Sequence, residues 1–228
     1  KELYKRIVFL RPLGLPTYQI KTPIAAMRIL VQSGMDREEN EENQKLFRQL
    51  QMELFKTEQY VEMVLSYLKI GDIAKDMVLE RCDLGKVVRQ AVKKYSRLFI
   101  LQKLSLEMGE IAEIVLTDEK WLSFVVEQIL SNALKYTKSG SVSIYLEQEG
   151  VLVIKDTGIG ISAEDLPRIM EKGYTGYNGR IDKRSTGIGL YLCKKVMDKL
   201  HHQLRIDSED GKGTKVVLDL RRTQLDLE

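Results

Sequence analysis

Histidine and cysteine are almost missing from this chain: its 228 residues hold two of each, His201 and His202, and Cys82 and Cys193. Two cysteines cannot build a disulfide framework or a four-thiolate zinc site, and they read as reduced, buried thiols of a cytosolic protein. With two adjacent histidines, most imidazole-based chemistry is excluded as well. Charge of one sign is also lacking. A net charge of +3 is too small to predict nucleic acid or an anionic membrane surface as a partner. No run of about 18 apolar residues occurs, so no segment is expected to span a bilayer, and no signal peptide is recognised. What remains is ordinary globular material, 43% hydrophobic and 30% charged, enough for one large or two modest domains.

Apolar periodicity divides the chain. From Thr17, read as an N-cap, to about Gly34, apolar residues fall at Ile20, Ile24, Met27, Leu30 and Val31, one helical stripe. Pro12, Gly14 and Pro16 are expected to break any helix before this point, and Pro23 to bend the helix just past the face shared by Tyr18 and Thr22. A longer helix over about 41–69 carries Leu46, Leu50, Leu54, Val61, Val64, Leu65 and Leu68, close to a heptad pattern. Two such helices form a hairpin that buries little alone. Either a second copy completes a four-helix bundle, or the pair packs on the rest of its own chain.

Beyond Gly71-Asp72 the pattern becomes mixed. Strands are predicted at 78–82, 104–108 and 112–116, and Asp83 and Thr117 or Asp118 cap two helices. The alternating run 141–147 and the apolar run 151–155 form a hairpin about Gln148-Glu149-Gly150. A long, glycine-rich loop spans 156–187, with one helical turn or two near 163–170. Such loops in compact domains are usually functional. A helix to about Leu200 and a second hairpin, 204–207 with 215–220, complete an α+β fold.

Three segments carry candidate chemistry. Glu127, Ser131 and Lys135 share a helix face, with Asn132 at its edge. An Asn oxygen suits Mg²⁺, which keeps waters and takes phosphate ligands, and Lys135 adds a counter-charge for phosphate. Asp156-Thr157-Gly158-Ile159-Gly160 follows a strand; Asp156 can accept from an exocyclic amine while the glycines let backbone approach a flat base. Ser185-Thr186-Gly187-Ile188-Gly189-Leu190 opens a helix whose free N–H groups suit a polyphosphate. Each segment alone is weak, and neither glycine run fits the dinucleotide or P-loop fingerprints. Their order is the stronger signal.

In that order, residues 77–222 resemble the ATP-binding domain of bacterial sensor histidine kinases, the Bergerat fold shared with Hsp90, gyrase B and MutL. Glu127–Tyr136 is similar to the N box, Asp156–Gly160 to the G1 box and Thr186–Leu190 to the G2 box. Glu171-Lys172-Gly173-Tyr174 resembles the F box with Tyr for Phe, and Gly211-Lys212-Gly213-Thr214 the closing Gly-x-Gly-Thr segment. The resemblance implies ATP and Mg²⁺ as cofactors. It implies that Asn132 holds Mg²⁺, Asp156 receives the adenine amine and Thr214 supports that contact through water. Glu127 would assist proton removal or order a metal-bound water. Lys135 and Tyr136 would line the phosphate and sugar side, and Gly187 and Gly189 the phosphates.

The helical pair, 17–70 after a lead-in of 1–16, resembles the dimerisation and histidine-phosphotransfer domain. Gln19-Ile20-Lys21-Thr22-Pro23-Ile24-Ala25-Ala26-Met27 is similar to the intramembrane-sensing kinases of the bacitracin type, which answer antimicrobial peptides beside an ABC transporter. In them the phosphoacceptor His precedes this Gln; here the residue is Tyr18, an engineered change or a natural degeneration. The resemblance thus implies a homodimeric core of a membrane receptor, at the cytoplasmic face of the bacterial membrane, here as a soluble fragment. It binds Mg-ATP and engages a response regulator, with no nucleic acid. Tyr18 removes autophosphorylation, while Thr22, one turn on, keeps the position that orients water for dephosphorylating the regulator. The alternative is a scaffold that binds ATP and sequesters a regulator without chemistry. A chaperone-type or mismatch-repair-type ATPase is disfavoured by the preceding hairpin.

Overall fold

The computed structural model describes residues 14–69, 77–176 and 186–222, with side chains from 20 to 68 in the first stretch. The chain divides into two compact units, with the boundary between Leu68 and Lys69. The boundary expected at Gly71-Asp72, Ser185 and the second half of the long loop lie outside the described residues.

The first unit is a helical hairpin, α1 (Gly14–Arg37) and α2 (Glu41–Lys69). The first helix begins at Gly14 rather than at Thr17, so Thr17 is not its cap and Pro16 does not break it. The reason is positional: N–H groups of a first turn have no intrahelical partner, so a Pro there forfeits nothing. Pro23 lies inside the helix, where it withholds one N–H from the ladder without ending it. The connection is short because Asn40 caps α2, its Oδ1 accepting from the amides of Glu42 at 2.8 Å and Asn43 at 3.3 Å. Gly34 allows the close approach of the two helices, since a Cβ there would lie 2.7 Å from the Phe47 ring. Lateral polar ties run from Gln51 Nε2 to Gln32 Oε1 (2.8 Å) and from Lys21 to Glu62 (3.3 Å).

Little of the predicted stripe is buried in the single chain. Of its residues only Ile24 is enclosed, with Met63 beside the stripe, whereas Ile20, Met27, Leu30, Leu46, Leu50 and Leu68 are exposed, Leu30 to 70%.

The second unit follows the predicted element order. It comprises β1 (Glu80–Asp83), α3 (Leu84–Gln102), β2 (Ser105–Met108), β3 (Ile114–Thr117) and α4 (Glu119–Tyr136). Then come β4 (Ser141–Gln148), β5 (Val151–Asp156), α5 (Gly189–Lys199), β6 (Gln203–Glu209) and β7 (Gly213–Asp219). Asp83 caps α3 through Lys86 N (2.8 Å), and Asp118 caps α4 through Trp121 N (3.0 Å). The expected helical turns at 163–170 are hydrogen-bonded turns that do not propagate as a helix.

Five strands form one sheet in the order β2-β4-β5-β7-β6, and β1 pairs β3 apart from it. Only β2 and β4 are parallel; β4–β5 and β6–β7 are the predicted hairpins, joined by β5–β7 pairing. Register places Ile144 opposite Ile154 and Ile154 opposite Val216, so alternate residues build one apolar sheet face. Leu122, Val125, Val126, Ile129 and Leu130 of α4 are buried, with Leu192, Val196 and Met197 of α5. Helix α4 contacts α3, α5 and β5. Each fully buried Leu or Ile of this kind contributes roughly 1.5–3 kcal/mol. The architecture is α+β, as expected.

Candidate functional site

The last turns of α4, the end of β5 and the turn before β7 meet in this domain. Asp156 is the final residue of β5 and pairs across the sheet with Thr214. It is 7% exposed, and burial pushes its carboxyl above the ordinary carboxylate range. The amides of Gly158 and Thr214 and the hydroxyl of Thr137 pull the other way. The Gly158 N–H donates to Asp156 Oδ1 at 2.8 Å, fixing that carboxylate oxygen.

Gly158 has to be glycine. A Cβ would lie 2.5 Å from the Tyr136 carbonyl oxygen, 2.7 Å from Asp156 Oδ1 and 2.9 Å from Thr137 Oγ1. Gly160 sits with positive φ against the Glu209 carbonyl, and the loop is pinned there by Gly211 N–H donating to Ile159 O at 2.7 Å. Thr214 hydrogen-bonds through its hydroxyl to Ser208 Oγ (2.9 Å), which also receives the Ile161 amide (2.9 Å). The Asp156 loop and the Gly213-Thr214 turn are thus tied to each other through Ser208.

On α4, Asn132 is half-buried, and Gln128 Nε2 lies 3.5 Å from its Oδ1. Gly189, first residue of α5, approaches the same Gln128: a Cβ there would be 2.6 Å from Gln128 Nε2. The start of α5 and Asn132 therefore meet through Gln128. Glu127 turns elsewhere, forming a 2.6 Å ion pair with Lys94 of α3. The Lys135 ammonium lies 5.1 Å from the centre of the Tyr136 ring. Gly187 accepts at its carbonyl from Gly173 N–H (2.9 Å), which closes the neck of the long loop. Just inside this neck, Tyr174 donates to Asp165 Oδ1 (2.5 Å) beneath the Arg168 guanidinium, a bond that the usual Phe of this segment could not make.

Asp156, Gly158, Gly160 and Thr214 thus belong to one set of contacts, Asn132 and Gly189 to a second built around Gln128, and Glu127 is paired with Lys94. Sequence reading missed Gln128 and Thr137. Gln128 was detectable, since it stands four residues before Asn132 and shares its face. Thr137 carried no such signal.

His202 is buried and its Nε2 lies 3.0 Å from Thr117 Oγ1, far along the chain from α1. Cys82, with Glu80 and Glu119, forms the one cluster of potential metal ligands among the described residues. Glu119 is already paired with Lys86 at 3.0 Å, and burial raises the Cys82 thiol, which keeps it protonated.

In the hairpin, Thr22 is exposed on α1, and Tyr18 and Gln19 are helical one turn earlier. No helix among the described residues is long and apolar enough to cross a membrane.

Residues 117–224 match the family of histidine kinase-, DNA gyrase B- and HSP90-like ATPases. Over 205 residues the chain is 33% identical to the sensor histidine kinase YxdK of Bacillus subtilis, covering 87% of this chain and 61% of that protein. It is 35% identical to the sensor protein kinase GraS of Staphylococcus aureus, over 88% and 57% respectively. It is 32% identical to the sensor protein BceS of B. subtilis, over 88% and 59%. The chain therefore spans about three fifths of these relatives. Among solved structures, full-length ShkA in complex with AMPPNP superposes with a TM-score of 0.63 at 19% identity, over 90% of this chain and 44% of that one. The mycobacterial sensor histidine kinase MprB does so at 0.51 and 25%, over 62% and 95%. At such identities the first of these shows a shared fold.

Proposed function

Because this chain is a relative of bacterial sensor histidine kinases whose residues 117–224 belong to the histidine kinase-, DNA gyrase B- and HSP90-like ATPase family, we propose that it is the catalytic core of such a kinase. Residues 77–222 bind Mg-ATP, and residues 17–70 form the dimerisation and phosphotransfer hairpin. One observation carries the reading. Asp156 is a buried carboxylate beside Gly158 and paired across the sheet with Thr214, while the start of α5 approaches Gln128, which stands beside Asn132.

Asp156 accepts a hydrogen bond from the adenine amine, and Thr214 and the Gly158 and Gly160 backbone hold the base edge. Asn132 offers Mg²⁺ a single neutral oxygen, the donor set of an ion that keeps waters and takes phosphate ligands. When bound, the ion would neutralise phosphate charge. Gly187 and Gly189 present backbone N–H groups at the start of α5 to the phosphates, and Lys135 and Tyr136 line the outer side. Glu127, paired with Lys94, would assist proton removal or order a metal-bound water.

Tyr18 occupies the position of the acceptor His, so the chain does not autophosphorylate on α1, whereas Thr22 retains the water-orienting position for dephosphorylation. The partners are a second copy and a response regulator, with an ABC transporter engaged through the membrane region of the full-length receptor. Calorimetric titration tests the core of this reading. Mg-ATP should bind with a dissociation constant in the micromolar to millimolar range, and no binding would overturn it. A phosphorylated regulator that loses phosphate no faster with the protein than alone would remove the part assigned to Thr22.

The exposed stripe of Ile20, Met27, Leu30, Leu46, Leu50 and Leu68 supports the homodimer, which would cover it. Leu46→Glu combined with Leu50→Glu should weaken the dimer at least about 100-fold, since each protomer loses two buried leucines worth roughly 1.5–3 kcal/mol apiece. Sedimentation equilibrium would read this directly, and equal self-association of both chains would contradict it. Both side chains are exposed in the single chain, so the hairpin itself should survive.

A further inference from the structure

An arc of chain, residues 161–174, bridges the contacts around Asp156 and the approach to α5. At its first end the Ile161 amide donates to Ser208 Oγ (2.9 Å), which lies 2.9 Å from Thr214 Oγ1. At its other end Gly173 N–H donates to the Gly187 carbonyl (2.9 Å), two residues before α5 begins. The two backbones touch there. A Cβ on Gly187 would lie 2.6 Å from the Tyr174 carbonyl oxygen and 2.7 Å from that of Gly173. Residues 173 and 174 therefore cannot shift without displacing Gly187.

Between these ends the backbone makes only short turns. Leu166 N–H donates to Ser162 O (3.0 Å), Arg168 N–H to Asp165 O (2.9 Å), Glu171 N–H to Arg168 O (2.8 Å) and Tyr174 N–H to Glu171 O (3.2 Å). Each turn fixes near neighbours and leaves the span of the arc to be set by something longer. The Tyr174 hydroxyl does this, donating to Asp165 Oδ1 (2.5 Å) from nine residues away. The Arg168 guanidinium lies 4.3 Å from the centre of the Tyr174 ring and is itself paired with Glu171 at 3.2 Å. Phenylalanine would keep the ring under the guanidinium and lose the clasp, because it has no donor.

We propose that Tyr174 is a positioning residue for phosphate binding: its hydroxyl, clasped to Asp165, fixes the arc and through Gly173 holds Gly187 and the start of α5 in place. This rests on the Mg-ATP reading above. With the clasp made, the Gly187 backbone stands ordered before the nucleotide arrives. Without it, binding has to order that backbone, and the cost falls on ligands that carry phosphates. The base contacts at Asp156 have their own tie through Ser208 and do not feel the loss.

Calorimetry on the full chain with Mg-ATP, Mg-ADP and adenosine, the last read by its competition with ADP, tests this. Tyr174→Phe should weaken both nucleotides about 5–10-fold, the effect of one hydrogen bond, and leave adenosine within about 2-fold of the parent. Asp165→Ala should do the same, whereas Asp165→Asn, which still accepts from the hydroxyl, should behave as the parent. The double variant Tyr174→Phe/Asp165→Ala should lose no more than either single one, since both remove the same bond. Tyr174→Phe binding ATP as the parent does, adenosine weakening as much as ATP, or losses that add in the double variant would each overturn the proposal while leaving ATP binding intact. If Asp165→Ala does not fold, Tyr174→Phe and Asp165→Asn decide by the same comparison. An unaltered chain that binds no Mg-ATP would sink this inference together with the reading it rests on.

Discussion

Tyr18→His should convert a chain that takes up no phosphate from γ-labelled ATP into one that labels itself. The expectation rests on the nucleophile. Phosphoryl transfer of this kind is positioning and charge stabilisation around an acceptor with an available lone pair. A neutral imidazole has one at pH 7, whereas phenol, with a pKa of about 10, is ionised in roughly one molecule per thousand. On that ground alone the variant should exceed the parent by on the order of 10²–10³ in initial rate. The position suits the exchange, because residue 18 lies inside α1 one turn before the exposed Thr22, and helical backbone continues on both sides. The product should be labile to acid and stable to base, as a phosphoramidate is. Tyr18→Phe serves as the blank. Label in the parent that disappears in Tyr18→Phe would mean the tyrosine itself is an acceptor. A Tyr18→His chain that binds Mg-ATP but gains no label would mean that more than the nucleophile has been lost.

Much of this fold is written locally. Asp83 and Asp118 announce their helices because an acidic cap satisfies the free amides of a first turn, and both do so here. The β4–β5 and β6–β7 hairpins follow from alternation and a short glycine turn. What escaped sequence reading is set by the third dimension. Pro16 looked like a stop, and only its place in the first turn makes it harmless. Glu127 and Gln128 are adjacent on α4, yet one turns to Lys94 and the other to Asn132 and Gly189, a choice that depends on which helices flank α4. Thr137 reads as any residue after a helix; its meaning comes from Asp156, brought next to it by β5. The Tyr174 hydroxyl similarly acquires a role only because the turn at 162–165 folds back to present Asp165.

The glycines mark the boundary between these two kinds of information. Their spacing is visible in sequence, and it suggests turns. That Gly158 and Gly189 are flattened against Asp156 and Gln128 is a packing fact that the spacing does not carry. The hairpin offers the opposite case. Its stripe was legible, but Ile20, Met27, Leu30, Leu46, Leu50 and Leu68 stay exposed in the single chain, so the periodicity alone does not say what covers it.

Asp156→Asn should reduce Mg-ATP affinity by about 30–100-fold while leaving the domain at least as stable as before. The Gly158 amide fixes the orientation, since it requires an acceptor at Oδ1. An Asn must therefore keep its oxygen there and turn its NH₂ to the other side. In the proposed complex that side faces the adenine amine, so a donor would oppose a donor and the acceptor interaction would be lost outright. Stability should move the other way. Burial raises the Asp156 carboxyl in the folded domain, so the folded state holds its proton more tightly than the unfolded chain, whose value is about 4. Ionised Asp156 thus costs stability at neutral pH; the cost shrinks as pH falls through the raised value and is gone below the unfolded one. Asn never ionises, so the variant escapes the cost at pH 7. Thermal melts at pH 7 should show an equal or higher midpoint, and the gap between variant and parent should narrow as the buffer is taken towards pH 4. For the parent, ATP affinity should fall over the same acidic range, because a protonated Asp156 presents a hydrogen where the amine needs an acceptor. A variant that loses affinity only by melting at a lower temperature would return Asp156 to a structural role, and one that binds ATP like the parent would remove it from the site.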